Sequence, residues 1–442
     1  MGKVATYGTD AACRDSILSF LTGCHFIENP NPCIGLVSTK LIYFSGNKIL
    51  QVSKIANLQH ALKTEEIDLQ NVFDRLLQLS VHTNELTVHL ILHAIYCLNR
   101  LSPNLIKRTA ESMSRELLML YYKYYKDPVI GGVLVDLFIQ IIKTPGSGSA
   151  FLKVFIPNMK LAIRDLIFEN FEGFSFAEQE GRINFLVSLI DILILSLRMS
   201  KEMEFDLDFI FQPFEEIIEI ATKGTNPIAV VKSTVALKSY LLYCPKKCNN
   251  EQILREVFKV MDRLLNPKES EVLSTYIGNI VMVMMENISN PKINMELLKR
   301  TIAKVRKCSL PSTLQGIALL FSRYINKSPK DMIKFLANLS VENRSALKIL
   351  MDRWLLHQPK FIGPLTKNTT YKALMCLLIE RDPAIENLLV LGFDPSHTKA
   401  SPEITTPLKI LSTIVRCVDN ELKVENKDLK VRLRINPSPR IS

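Results

Sequence analysis

Apolar residues recur at helical spacing along most of the chain. In NELTVHLILHAIYCLNRL (84–101), Leu86, Leu90, Ala94, Leu98 and Leu101 fall three or four positions apart and form one stripe. Similar patterns run from about residue 66 to 423, and no strand-like alternation is sustained after residue 55. Helix starts reuse one device, a capping side chain followed by proline: Ser102-Pro103, Asp127-Pro128, Asn226-Pro227, Ser328-Pro329 and Thr406-Pro407. The cap oxygen takes an orphan backbone N–H, and proline at the first helical position gives up a donor that had no partner.

The first helix of each apparent pair starts near 66, 109, 150, 207, 250, 294 and 329. These intervals bracket the ~40–47 residues of HEAT and armadillo units, with an insertion expected at roughly 168–182. The predicted fold is therefore all-α, an α-solenoid of HEAT-type helix-pair repeats over 59–423. Residues 1–58 are an atypical segment with one short helix (DSILSFL, 15–21) and a turn-rich stretch. Residues 424–442 form a basic tail read as disordered.

Composition agrees with packed helices: 47% of residues are hydrophobic and only 16 are glycine. Nine unpaired cysteines and no basic-then-apolar leader point to reduced thiols in the cytoplasm or nucleus. The most apolar run, FLVSLIDILILSL (185–197), is too short to span a bilayer and carries Asp191, so it is expected to be buried by neighbours on both sides.

Charge changes the picture more than composition does. The chain is +11 overall, yet residues 165–219 hold thirteen acids against three bases, a local −10. The segments FENFEGFSFAEQEG (168–181) and EMEFDLDFIFQPFEEIIE (202–219) interleave carboxylates with phenylalanines. Glu202, Glu204, Asp206 and Asp208 are thus candidate contacts for a basic protein partner, through charge and cation–π stacking. The competing reading makes the phenylalanines core and the acids a solvated rim. Trp354, the single tryptophan, and Phe361 are the other candidate contacts, again with a core reading as the alternative.

No enzyme is expected, because phosphate-cradle glycine motifs and the G-x-S-x-G nucleophile elbow are absent. His89 and His93 have helical metal-ligand spacing but lack the H-E-x-x-H glutamate and a third ligand. Cys244 with Cys248, and Cys24-His25 with Cys33, are equally incomplete sets. No metal, no cofactor, no membrane contact and no direct nucleic-acid contact are expected.

Several stretches resemble the karyopherin-β (importin-β) nuclear transport receptors. Arg353-Trp354, His357-Gln358, Phe361 and Gly363, followed by TTYKALMCLL (369–378), are similar to a family helix with its Q-x-x-F-x-G tail and following helix. LLNPKESEV (264–272), KYYKDPVIGGVLVDLF (123–138) and SHTKASPEITTPLKILSTIVRCVDNEL (396–422) are similar to further family segments in the same order, over about 59–423. The resemblance implies a non-enzymatic receptor that binds protein cargo, with histones and ribosomal proteins as its basic classes. It also implies nuclear pore proteins and the GTPase Ran as partners, and residence in cytoplasm and nucleus. Two departures stand out: the family's main Ran-contacting N-terminal repeats have no counterpart here, and a basic tail replaces its acidic C-terminal run. A HEAT-type scaffold or adaptor without Ran-regulated transport is the alternative.

Overall fold

The computed structural model describes residues 85–419 apart from 102, 169–173, 289 and 393–401, together with 76, 77 and 80. The expectations for 1–58 and 424–442 lie outside the described residues. The chain divides into two compact units, Met1–Ile220 and Ala221–Ser442.

The first unit contains α1 (Glu85–Leu101), α2 (Pro103–Tyr124), α3 (Pro128–Lys143), α4 (Gly148–Phe168) and α5 (Phe176–Met199). Helices two apart in sequence pack side by side, α1 with α3 and α5 in one layer and α2 with α4 in the other, while consecutive helices join the layers. This is repeat packing, in which each element is stabilised by its neighbours. In α1, Val88, Ile91, Leu92 and Ile95 are buried. The side chains of the expected stripe (Leu86, Leu90, Ala94, Leu98, Leu101) lie outside the described residues.

The apolar run of α5 behaves as expected. Phe185, Leu186, Leu189, Ile190, Leu193 and Leu197 are buried, and α3 and α4 both pack on the helix. Asp191 remains exposed, so this helix needs no buried charge. Burial of such side chains contributes about 1.5–3 kcal/mol each. No helix among the described residues is long and apolar enough to cross a membrane. The insertion expected at 168–182 shrinks to a junction, since α4 reaches Phe168 and α5 starts at Phe176. Ser175 starts α5 with a reciprocal capping box: Glu178 N donates to Ser175 Oγ, and Ser175 N donates to the Glu178 carboxylate. A four-residue helix, Leu207–Ile210, stands where a full repeat helix was expected. It is followed by α6 (Phe214–Lys223).

The second unit holds α7 (Pro227–Tyr243), α8 (Glu251–Leu265), α9 (Ile277–Asn287), α10 (Pro291–Lys307), α11 (Pro311–Lys327), α12 (Pro329–Asn338), α13 (Ala346–His357) and α14 (Pro364–Glu380). A last helical stretch covers 406–419. One layer runs α8, α10, α13 and the other α7, α9, α11, α14. Helices α8 and α10, neighbours in one layer, start 40 residues apart, close to the expected spacing, while α13, the next in that layer, starts at Ala346 because α12 and a short hairpin at 340–345 intervene.

Polar side chains repeat the same period. Lys304 Nζ donates to Asn266 O at 2.8 Å, 38 residues back. Arg263 reaches Ala221 O and Gly224 O, Asn287 reaches Leu241 O, and Arg353 reaches Arg306 O. Each bond satisfies a loop or helix-end carbonyl that its own helix leaves open. Lys304 is buried; that burial lowers its pKa, and its ammonium also donates to Glu269 O.

The caps divide. Asp127 and Asn226 each accept two backbone N–H bonds as expected. Ser328 does not cap α12: its hydroxyl donates to Asp331 instead. Thr406 donates to Leu388 O. The all-α fold is interrupted only by two short antiparallel pairs among the described residues, Ser340–Val341 (β1) with Arg344–Ser345 (β2) and Leu389–Leu391 (β3) with Glu403–Thr405 (β4). Glu342 and Asn343 both have positive φ, which makes the first pair a two-residue hairpin of the type that matches strand twist.

Candidate functional site

The acidic segment sits between α5 and α6. Asp206 caps the short helix 207–210, its carboxylate accepting from Asp208 N at 2.8 Å. Glu204 has a φ of 52°, which turns the chain just before this cap. Glu202, Glu204, Asp206 and Asp208 are all exposed, so the structure brings these four predicted residues together on one surface segment.

The interleaved aromatics mostly turn the other way. Phe205 is buried against α4, where a Cβ added to Gly148 would lie 2.6 Å from its ring. Phe211 stacks on buried Phe214 at 4.6 Å, and Phe209 is half-buried. Glu216 is also interior, 3.6 Å from Lys160. Sequence alternation therefore sorts this stretch into an anionic outer side and an apolar inner side. Phe176 is the exception, at 82% exposure. Phe171 and the side chain of Phe168 lie outside the described residues.

Trp354 and Phe361 belong to the second unit and are interior, each 1% exposed. Trp354 Nε1 donates to Gln358 Oε1 at 2.6 Å, and Gln358 Nε2 donates to Thr370 Oγ1 at 2.9 Å, tying α13 to α14. The chain then turns at Gly363, whose φ of +88° favours glycine. The aromatic Q-x-x-F-x-G tail is thus a buried polar clasp, and the expectation of contact surface at Trp354 and Phe361 is corrected to a buttressing position.

His89 and His93 lie close, with Nε2 atoms 3.1 Å apart and rings edge to face. Burial, then the neighbouring His89, pushes the His93 pKa down. No group of three or more His, Cys, Asp or Glu among the described residues is placed to hold a metal ion. Cys244, Cys248 and Cys308 are buried thiols that burial pushes to about 11, 12 and 12, which disfavours the reactive thiolate.

A groove of about 840 Å³ in the first unit escaped the sequence reading. It lies where the end of α2 and the starts of α3 and α5 meet, lined by Tyr121, Tyr125, Gly132, Asp136, Glu180 and Phe185 among others. Its signals were the Tyr-Tyr and Gly-Gly pairs in KYYKDPVIGGV; glycines on an exposed helix face leave room that nothing in the local pattern requires. At its edge Lys126 pairs with Glu178 at 2.8 Å, and this bond together with the Ser175 donors holds the Glu178 carboxyl at about 2.

No family model matches the chain. Importin subunit beta-5 of Saccharomyces cerevisiae (strain ATCC 204508 / S288c) is 20% identical over 232 residues, which is 50% of this chain and 23% of the yeast protein. The match thus spans less than a quarter of that relative's length. It supports the importin-β family as the source of the likeness, with no finer placing inside it. The relative is an importin subunit by name, and the described residues of this chain pack as all-α repeats.

Proposed function

We propose that this chain is a segment of an importin-9-like nuclear transport receptor that binds basic protein cargo, such as histones or ribosomal proteins, for import into the nucleus. The observation that carries the proposal is the exposure of Glu202, Glu204, Asp206 and Asp208 together, within a stretch of net −10 in a chain of net +11. Such a surface attracts a cationic partner and is screened as salt rises. In this reading the protein moves between cytoplasm and nucleus, with nuclear pore proteins and Ran as further partners. Trp354 and Phe361 act only by holding α13 and α14 in place.

The test replaces all four carboxylates by their amides. Asparagine at 206 keeps the cap, so charge is removed while the short helix stays. Histone-dimer affinity at low salt should fall by about fivefold or more, with a shallower salt dependence and unchanged circular dichroism. Unchanged affinity and salt slope would make the block a solvated rim. Running the assay with and without GTP-loaded Ran separates a regulated receptor from a plain HEAT-type scaffold.

A further inference from the structure

We infer that the groove between α2, α3 and α5 is a second docking site, shaped for an extended peptide segment that carries arginine. The inference rests on the basic-cargo reading above and names a separate place and side-chain chemistry for it.

Shape comes first. The cleft holds about 840 Å³, within the ~300–1,000 Å³ common for ligand sites. Its walls include helix backbone left bare by glycine: a Cβ added to Gly132 would meet nothing within 4 Å, and one on Gly131 would sit 3.6 Å from Tyr121. A Cβ added to Gly181, on α5, would lie 3.4 Å from the Tyr125 ring, so glycine there leaves that ring uncrowded. An incoming main chain can therefore approach more closely than it could over larger residues.

Side-chain chemistry then selects the occupant. Tyr121 and Tyr125 pack around buried Phe185, with ring centroids 4.8 and 5.7 Å away, and form a fixed aromatic wall. Asp127, Asp136 and Glu180 line the cleft against one base, Lys126, which is already engaged by Glu178. The same Lys126 lies over the Tyr125 ring at 5.9 Å, so that ring already accepts a cation. An aromatic wall beside carboxylates suits guanidinium better than ammonium. The planar group stacks on the ring while its fork of N–H donors meets a carboxylate.

The experiment uses the full chain and three fluorescent eleven-residue peptides, alternating serine with arginine, lysine or glutamate. The arginine peptide should bind several-fold tighter than the lysine one, and the glutamate peptide should not bind. Gly132→Leu fills the cleft and should weaken arginine-peptide binding about tenfold without lowering the melting temperature. Asp136→Asn with Glu180→Gln should weaken it about fivefold and flatten its salt dependence. If Gly132→Leu fails to fold, the double amide variant decides alone. Equal binding of all three peptides, or affinities untouched by these variants, overturns the inference. Should the arginine peptide fail to bind while histone dimers still respond to the changes at 202–208, the groove is excluded and the cargo reading stands. If neither ligand binds, both fall.

Discussion

Glu271 closes the start of a helix that begins 40 residues later. Its carboxylate accepts from Ser309 N at 2.8 Å and Leu310 N at 2.7 Å, just before the first turn of α11, where the cap residue, Leu310, has no side-chain acceptor. One repeat thus supplies the cap of the next. Glu271→Ala should cost about 1–2 kcal/mol, and Glu271→Gln less, since the amide oxygen still accepts one bond. Urea denaturation of the three proteins checks this; equal stabilities would show that water caps α11 equally well.

The clasp around Trp354 predicts a second asymmetry. Gln358→Leu leaves the indole N–H buried without an acceptor and should cost about 1–3 kcal/mol. Adding Trp354→Phe removes the stranded donor, so the double variant should lose less than the two single losses summed. With one tryptophan in the chain, its emission follows unfolding directly in every variant that retains Trp354. The Trp354→Phe variants are followed by circular dichroism.

Two glycines facing each other give opposite expectations. A Cβ on Gly278 would sit 2.1 Å from Gly316 O, a backbone atom that cannot move aside, whereas a Cβ on Gly316 meets only ordinary contact at 3.5 Å. Gly278→Ala should therefore push α9 from α11 and cost about 3 kcal/mol or more, while Gly316→Ala stays near neutral. Thermal melts of both variants test the backbone-to-backbone approach.

Acidification supplies the fourth expectation. Burial, then Lys360 and Arg353, lowers the pKa of His357, and His93 is lowered by burial and His89. Both imidazoles therefore bind protons more readily in the unfolded chain. Nothing is lost above about pH 6.5; below it the unfolded state gains protons first, and stability falls until the folded-state pKa is passed. His357→Gln cannot take that proton and should show a smaller drop between pH 7 and 5 in denaturant midpoints.

The repeat period and the caps at Asp127 and Asn226 were readable because they depend on local chemistry: a proline, a short polar side chain, a stripe at helical spacing. The surfaces were harder. EMEFDLDF announces its charge, but only packing shows that Phe205 turns inward while its acidic neighbours stay out. For Trp354 and Phe361 the sequence left contact and core both open, and burial decides for core. The polarity at Gln358 serves two bonds, one accepted from the indole four residues back and one donated to Thr370 on α14, and the second exists only once α13 and α14 are packed. Ser328 donates its hydroxyl to the Asp331 carboxylate, and its oxygen accepts no backbone N–H of α12. The groove needed three helix ends at once, a coincidence that no window of residues contains.

The tethers between repeats bear on how such a chain can drift in sequence. Arg263, Asn287, Lys304, Asn326 and Arg353 all donate to main-chain oxygens in a neighbouring repeat. A carbonyl is offered by any residue, so the receiving half of each junction carries no requirement for side-chain identity. Half of the wiring is therefore exempt from selection on residue type, and two chains can keep one helix spacing while sharing few letters. For a match at 20% identity, the donors and their intervals are a better guide to common architecture than the residues they hold.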